Sequence, residues 1–233
     1  MSGTSFNIVN NDGKIIKEVI FNTPPEKLYY DLIFQNMFAH SSVVFRLREV
    51  DNLDGYSGDL KYAQDYDLWC KLSRVGKIWV LPDLLTLWCD DPLNISNIKR
   101  KEQDLISEGI FINNLRLFNV EENVIEDSYL LHNYYDDNFT DCPEEKIHNT
   151  FKALLYINNK IVKNCPDFYS KSELRKIGYK NLIDLLTRIY KYTNNKFRVL
   201  SFLAKNCFNL RLDIEAFKKV INSKLKIKGN YNA

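Results

Sequence analysis

The chain has 233 residues, 45% of them hydrophobic and 27% charged, with a formal net charge of +2. That is the make-up of a globular protein with one large core or two small ones. The near balance of charge removes any whole-chain nucleic-acid or membrane signal, and no run reaches the ~18 consecutive apolar residues needed to cross a bilayer.

Two β-rich runs, residues 4–9 and 14–21, flank Asn10-Asn11-Asp12-Gly13, which predicts a hairpin. Thr23-Pro24-Pro25-Glu26 predicts a helix to about Asn36, with Thr23 as cap and proline in the first turn. Residues 41–46 (SSVVFR) read as a short strand, and 49–58 as a loop with two glycines. Ala63–Val75 reads as a helix because Leu68, Leu72 and Val75 recur at i, i+4, i+7 and Gly76 ends the run. Lys77–Leu81 and Leu84–Trp88 read as two strands broken by Pro82-Asp83.

Beyond residue 96 strand-like alternation stops. Helices are expected over 97–119, 122–135, 144–163, 171–193, 196–208 and 213–227. The expected architecture is therefore α/β with a small mixed sheet over residues 1–97, followed by an all-α segment over 98–233, and predominantly helical overall. Residues 101–147 hold 12 Asp/Glu against 3 Lys/Arg, while 186–228 hold 11 Lys/Arg against 2 Asp/Glu. Either the two segments face each other in one bundle, or the basic segment makes a peripheral contact with an anionic surface such as a membrane. The last helix fits both, with Ile214, Phe217, Ile221 and Leu225 in one stripe.

Five cysteines (Cys70, Cys89, Cys142, Cys165, Cys207) are scattered, odd in number and free of Cys-x-x-Cys spacing. Together with a polar opening (Met1–Asn11) unlike a signal peptide, they point to reduced thiols in the cytoplasm. His40, His132 and His148 show no ligand spacing. The acidic cluster Tyr134-Tyr135-Asp136-Asp137 with Asp141 reads as a solvated loop.

The stretch AQDYDLW (63–69) carries the candidate chemistry. Asp65 and Asp67 resemble a metal-binding Asp-x-Asp pair. On a helix, however, positions i and i+2 lie about 200° apart and cannot share one cation. Asp65 in the first turn would be favoured as an anion by the helix dipole. It would serve either as a general base toward a hydroxyl or simply as a cap or ion-pair partner.

The ordered set NMFAHSSVVFR (36–46), DGYSGDLKYAQDYDLWCKL (54–72), GKIWVLPDLLTLW (76–88) and NIS (94–96) resembles the second half of a family-2 inverting glycosyltransferase of the GT-A fold. The resemblance covers roughly residues 1–100. It implies that Asp65 is the base that deprotonates the acceptor hydroxyl, with Gln64 beside it where many members have Glu. It places Gly55 and Tyr56 near donor sugar and acceptor, and Leu68 and Trp69 at core-facing positions that seat the helix. His40 and Ser41 match the motif without an assigned chemistry.

The family's nucleotide-binding first half, with its own Asp-x-Asp for Mn²⁺ or Mg²⁺, has no counterpart here. The family's closing Arg-x-His falls on Cys89-Asp90-Asp91, leaving Asp91 as a weak metal candidate. The resemblance implies a nucleotide-sugar donor, a glycan acceptor, and a partner chain or second copy that completes the enzyme. This chain alone is expected to be incomplete or inactive, because charge neutralisation at the leaving group is usually the largest catalytic term. The alternative is a non-catalytic binding or scaffold protein derived from such an enzyme. With the first half missing, the sheet edges are expected to be covered by the later helices or by a second copy.

Overall fold

The computed structural model describes residues 1–132 and 144–192. Among them run β1 (Ser2–Val9), β2 (Ile15–Val19), α1 (Pro25–Phe34), α2 (Leu47–Asp51), α3 (Gln64–Val75), β3 (Trp79–Cys89), α4 (Ile95–Ile98), α5 (Arg100–Leu117), α6 (Glu122–Asp127), α7 (Glu144–Asn164) and α8 (Lys171–Tyr192). A small α/β segment is thus followed by helices, and helix predominates, as the sequence pattern predicts. The expected helices over 196–208 and 213–227, the acidic cluster around 134–141, the basic stretch beyond 192, Cys142 and Cys207 lie outside the described residues.

The hairpin forms as expected. Asn10 Oδ1 accepts from the amides of Asp12 (3.1 Å) and Lys14 (2.9 Å), and Gly13 takes the left-handed φ of 76° that the turn demands. The sheet is mixed, in the order β2-β1-β3, with β1 antiparallel to β2 and parallel to β3. β3 corrects one expectation. Pro82-Asp83 does not split it into two strands; instead the register jumps from Thr4↔Leu81 to Ser5↔Leu84 and Phe6↔Thr86. The proline sits in a bulge of an edge strand, where a missing amide donor is tolerated.

Four further boundaries differ from the sequence expectation. Residues 41–46 are not a strand: His40–Ser42 form a 3-10 turn, Ser42 Oγ donates to Ala39 O at 2.8 Å, and only Val44 bridges to Ser2. The serine hydroxyl competes for the backbone and favours the turn. Helix α1 is capped by Pro24 rather than Thr23, with Pro25 in the first turn. The helix expected over 122–135 stops at Asp127, because Ser128 Oγ donates to Ile125 O and a 3-10 turn follows at Tyr129–Leu131. Residues 49–51, expected in a loop, belong to α2, which Gly55 closes by donating to Val50 O from a left-handed φ of 66°.

Two apolar clusters share their helices. One gathers Leu28, Leu32, Phe38, Tyr66, Leu68, Trp69, Leu72, Ile78 and Ile110 around α3. The other gathers Tyr29, Ile33, Phe111, Leu115, Ile157, Leu174 and Leu182 among the later helices. Helices α1 and α5 contribute to both, so the helical segment is packed directly behind α3. A buried amide stitches this junction. Asn114 on α5 donates to Ile33 O (3.3 Å) and to Cys70 Sγ (3.2 Å), and accepts from Arg74 Nη1 (3.1 Å). Burial pushes the Cys70 thiol up to about 12, with Asn114 pulling it back, so this cysteine is an inert packing group. No helix among the described residues is long and apolar enough to cross a membrane.

Candidate functional site

Helix α3 is held from below. Trp69 is fully buried, with its ring 5.8 Å from both His40 and Phe45, and Tyr66 donates its hydroxyl to Ile33 O at 3.3 Å. The first turn of the helix therefore rests on a packed aromatic base. Ala63 precedes it in the left-handed region (φ 56°), and its carbonyl accepts from Asp67 N. The Gln64 amide donates to Leu60 O (2.8 Å) and Lys61 O (3.2 Å). Its amide hydrogens are thus spent on the incoming loop, which gives Gln64 a positioning role at the helix entry.

Asp65 is half-buried. One oxygen accepts from its neighbour's amide, Tyr66 N, at 2.8 Å, and the other accepts from Asn36 Nδ2 at 3.2 Å. Asn36 is itself oriented, since its Oδ1 accepts from Phe38 N at 3.1 Å. The Tyr56 hydroxyl lies 3.0 Å from His40 Nε2, and Tyr56 is 40% exposed. Partial burial raises the Tyr56 phenol above its ordinary range, and the nearby Asp65 carboxylate raises it further. Asp65, Asn36, Tyr56 and His40 thus form one polar surface cluster over the edge of Trp69. Gly55 shapes the loop that delivers Tyr56. Asn36 was not singled out from sequence, and His40 had no chemistry assigned; the signal for both was their place in NMFAHSS, directly after α1.

Asp67 leaves this cluster, as the helical spacing predicts, and pairs with Lys71 Nζ at 2.7 Å. Asp91 is engaged in its own turn. Its carboxylate accepts from Leu93 N at 2.7 Å and its carbonyl from Asn97 Nδ2, while Asn97 also donates to Asp90 Oδ1. Cys89 Sγ donates to Asn11 Oδ1 at 3.4 Å, tying that corner to the hairpin turn. Among the described residues no group of three or more His, Cys, Asp or Glu side chains could hold a metal ion. With Asp65, Asp67 and Asp91 committed to separate partners, the residues described do not fit a Mn²⁺ or Mg²⁺ site.

A cleft of about 560 Å³ opens elsewhere, lined by Val44, Arg46, Leu72, Val75 and Trp79 among others. It lies at the C-terminal end of α3, about 15 Å along the helix axis from Asp65, so it is not the space above the candidate base. What the polar cluster offers is a carboxylate in a helical first turn, free to accept a further hydrogen bond on its outer lone pairs, beside a phenol and an imidazole that can orient a hydroxyl-rich ligand.

No protein-family model matches this chain, and neither a curated protein nor a solved structure matches it.

Proposed function

We propose that this chain is the acceptor-side portion of a sugar-transferring protein of the family-2 glycosyltransferase type, with Asp65 as the base that receives the acceptor hydroxyl proton. The observation that carries the proposal is the convergence of Asp65, Asn36, Tyr56 and His40 at the half-buried first turn of α3. In this reading Asn36 holds the carboxylate in one rotamer with its outer face toward the acceptor. Tyr56 provides an aromatic face and a hydroxyl for a sugar ring.

The nucleotide-sugar donor and the positive charge that neutralises its diphosphate would be supplied by a partner in the cytoplasm. Acid–base help alone contributes about 10²–10⁴-fold, so the isolated chain is expected to bind an acceptor glycan and turn over negligibly. A glycan array followed by NMR titration tests this. Binding that perturbs Asn36, Tyr56 and Asp65, and that Tyr56→Ala abolishes, is the expected result; silence across the array would refute the acceptor role.

A second reading, a non-catalytic scaffold built on the same frame, is favoured by one observation. The corner that resembles the family's diphosphate-side motif is occupied by internal hydrogen bonds of Cys89, Asp90 and Asp91. The glycan titration separates the two, since acceptor binding at Asn36, Tyr56 and Asp65 by this chain alone would sink the scaffold reading.

A further inference from the structure

The cleft of about 560 Å³ at the far end of α3 has a lining of its own kind. Its floor is one row of the sheet. Ser2 bridges to Val44 on one side and is in register with Trp79 on the other, so these three residues share a face. Leu72 and Val75, from the last turn of α3, and Arg46 and Glu49, from the start of α2, add to the lining.

The apolar part of this lining is left partly in water. Val44 is 72% exposed, Trp79 55% and Val75 51%. Its main cation has no counter-ion. Among the described residues no carboxylate pairs with Arg46, and Arg46 and Glu49, although three residues apart, do not pair with each other. Lys77 also lines the cleft and is held only loosely, with Nζ 3.9 Å from Glu26. Among the lining side chains Arg46 and Lys77 thus stand against Glu49 alone.

The placement of these charges decides what fits. The last turn of α3 is the negative end of its dipole, so an anion is disfavoured beside Val75. The guanidinium of Arg46 is the place for one, and its planar fork matches a carboxylate. Glu49 repels a second negative charge, which favours a monoanion over a phosphate dianion. Trp79, Val75 and Val44 leave room for a flat apolar body, and the volume lies in the range of small-molecule sites.

We infer that this cleft is a binding site for a small aromatic monocarboxylate, with its carboxylate on Arg46 and its ring against Trp79 and Val75. Binding gives Arg46 its missing counter-ion and covers the exposed apolar side chains. The site is independent of the role of Asp65.

Hydrocinnamate is the probe, titrated into the isotope-labelled full chain and followed by its amide and indole NMR signals. Saturable shifts at Arg46, Val75 and Trp79, with a dissociation constant at or below about 1 mM, are expected. No saturation up to about 10 mM overturns the inference. The matching alcohol should bind at least about tenfold more weakly, because a charged hydrogen bond is lost; equal binding overturns the role of the anion. Arg46→Ala, at an exposed and unpaired side chain, should weaken the probe about tenfold with unchanged far-UV circular dichroism, and Trp79→Ala by a similar factor. Binding that survives both variants, or shifts confined to Asn36, Tyr56 and Asp65, places the acid elsewhere and overturns the site. Phenethyl phosphate should bind more weakly than hydrocinnamate, and Glu49→Gln should narrow that gap; a gap that does not move overturns the preference for a monoanion. A peptide ending in phenylalanine that binds more tightly than the free acid would reassign the cleft to a protein C-terminus and overturn the small-molecule assignment.

Discussion

Helix α3 and strand β3 follow one another in the chain, joined by three residues, but they meet water in opposite ways. On α3 the large side chains Tyr66, Leu68 and Trp69 are fully buried, and the buried Asn114 amide ties Cys70 and Arg74 to α5. On β3 the large side chains Trp79, Leu85 and Leu87 stand in solvent, and the outer backbone edge is unpaired among the described residues. The first is a finished surface on which a rigid polar cluster can be presented. The second is a sheet edge to which no strand among the described residues is paired. A small protein segment can thus be packed on one side and open on the other, because core packing and strand pairing draw on different groups.

The sharpest way to break the comparison is to hollow the α3 side. Trp69→Ala should lower unfolding free energy by about 3–5 kcal/mol, read by urea denaturation. It should also weaken any glycan binding at Tyr56, since His40 would lose its edge-on neighbour. A loss below about 1 kcal/mol would show that α3 is not anchored as described. Next comes the amide at the junction. Asn114→Leu leaves Ile33 O and the Arg74 guanidinium without that partner, so about 1–3 kcal/mol should be lost. A neutral outcome would mean that the helical segment and α3 are not coupled through it.

Acid tests the helical cluster behind α3. Burial against Phe111 holds the His132 imidazole below its ordinary range, with Asp104 pulling it up more weakly. The folded chain therefore excludes a proton that the unfolded chain binds below about pH 6.5. This contribution to stability is complete above that pH and is lost as pH falls, at up to about 1.4 kcal/mol per unit, until the folded ring protonates too. His132→Leu should flatten the unfolding free energy across pH 6.5 to 5; an unchanged slope would assign the acid sensitivity to other groups. The smallest effect belongs to β3. Leu85→Ser should change stability by no more than about 0.5 kcal/mol, because the side chain is already in water. A loss above 1 kcal/mol would show that part of the same chain covers it.

Helix α3 could be read from sequence because its apolar positions repeat at the helical period, although only part of that stripe proved apt. Leu68 and Leu72 are buried, while Val75 is 51% exposed and Trp69 and Tyr66 carry the packing. Likewise the separation of Asp65 from Asp67 was readable, because it depends on helical geometry alone. The segment 41–46 was misread: Val43, Val44 and Phe45 favour strand locally, but Ser42 turns its hydroxyl on Ala39 O and leaves only the Val44 bridge. The unity of β3 was equally hidden, since a proline reads as a break until a partner strand with a bulge absorbs it.

Local pattern by itself determined an α/β beginning, a helical continuation and a carboxylate in the first turn of α3. These depend on neighbours within a few residues, which the chain order specifies. Only the tertiary structure decided that Asn36, His40 and Tyr56 gather around Asp65, that Asp91 closes its own turn, and that β3 ends as an open edge. Those outcomes depend on which distant segments pack together, and side-chain burial, not sequence spacing, sets that choice.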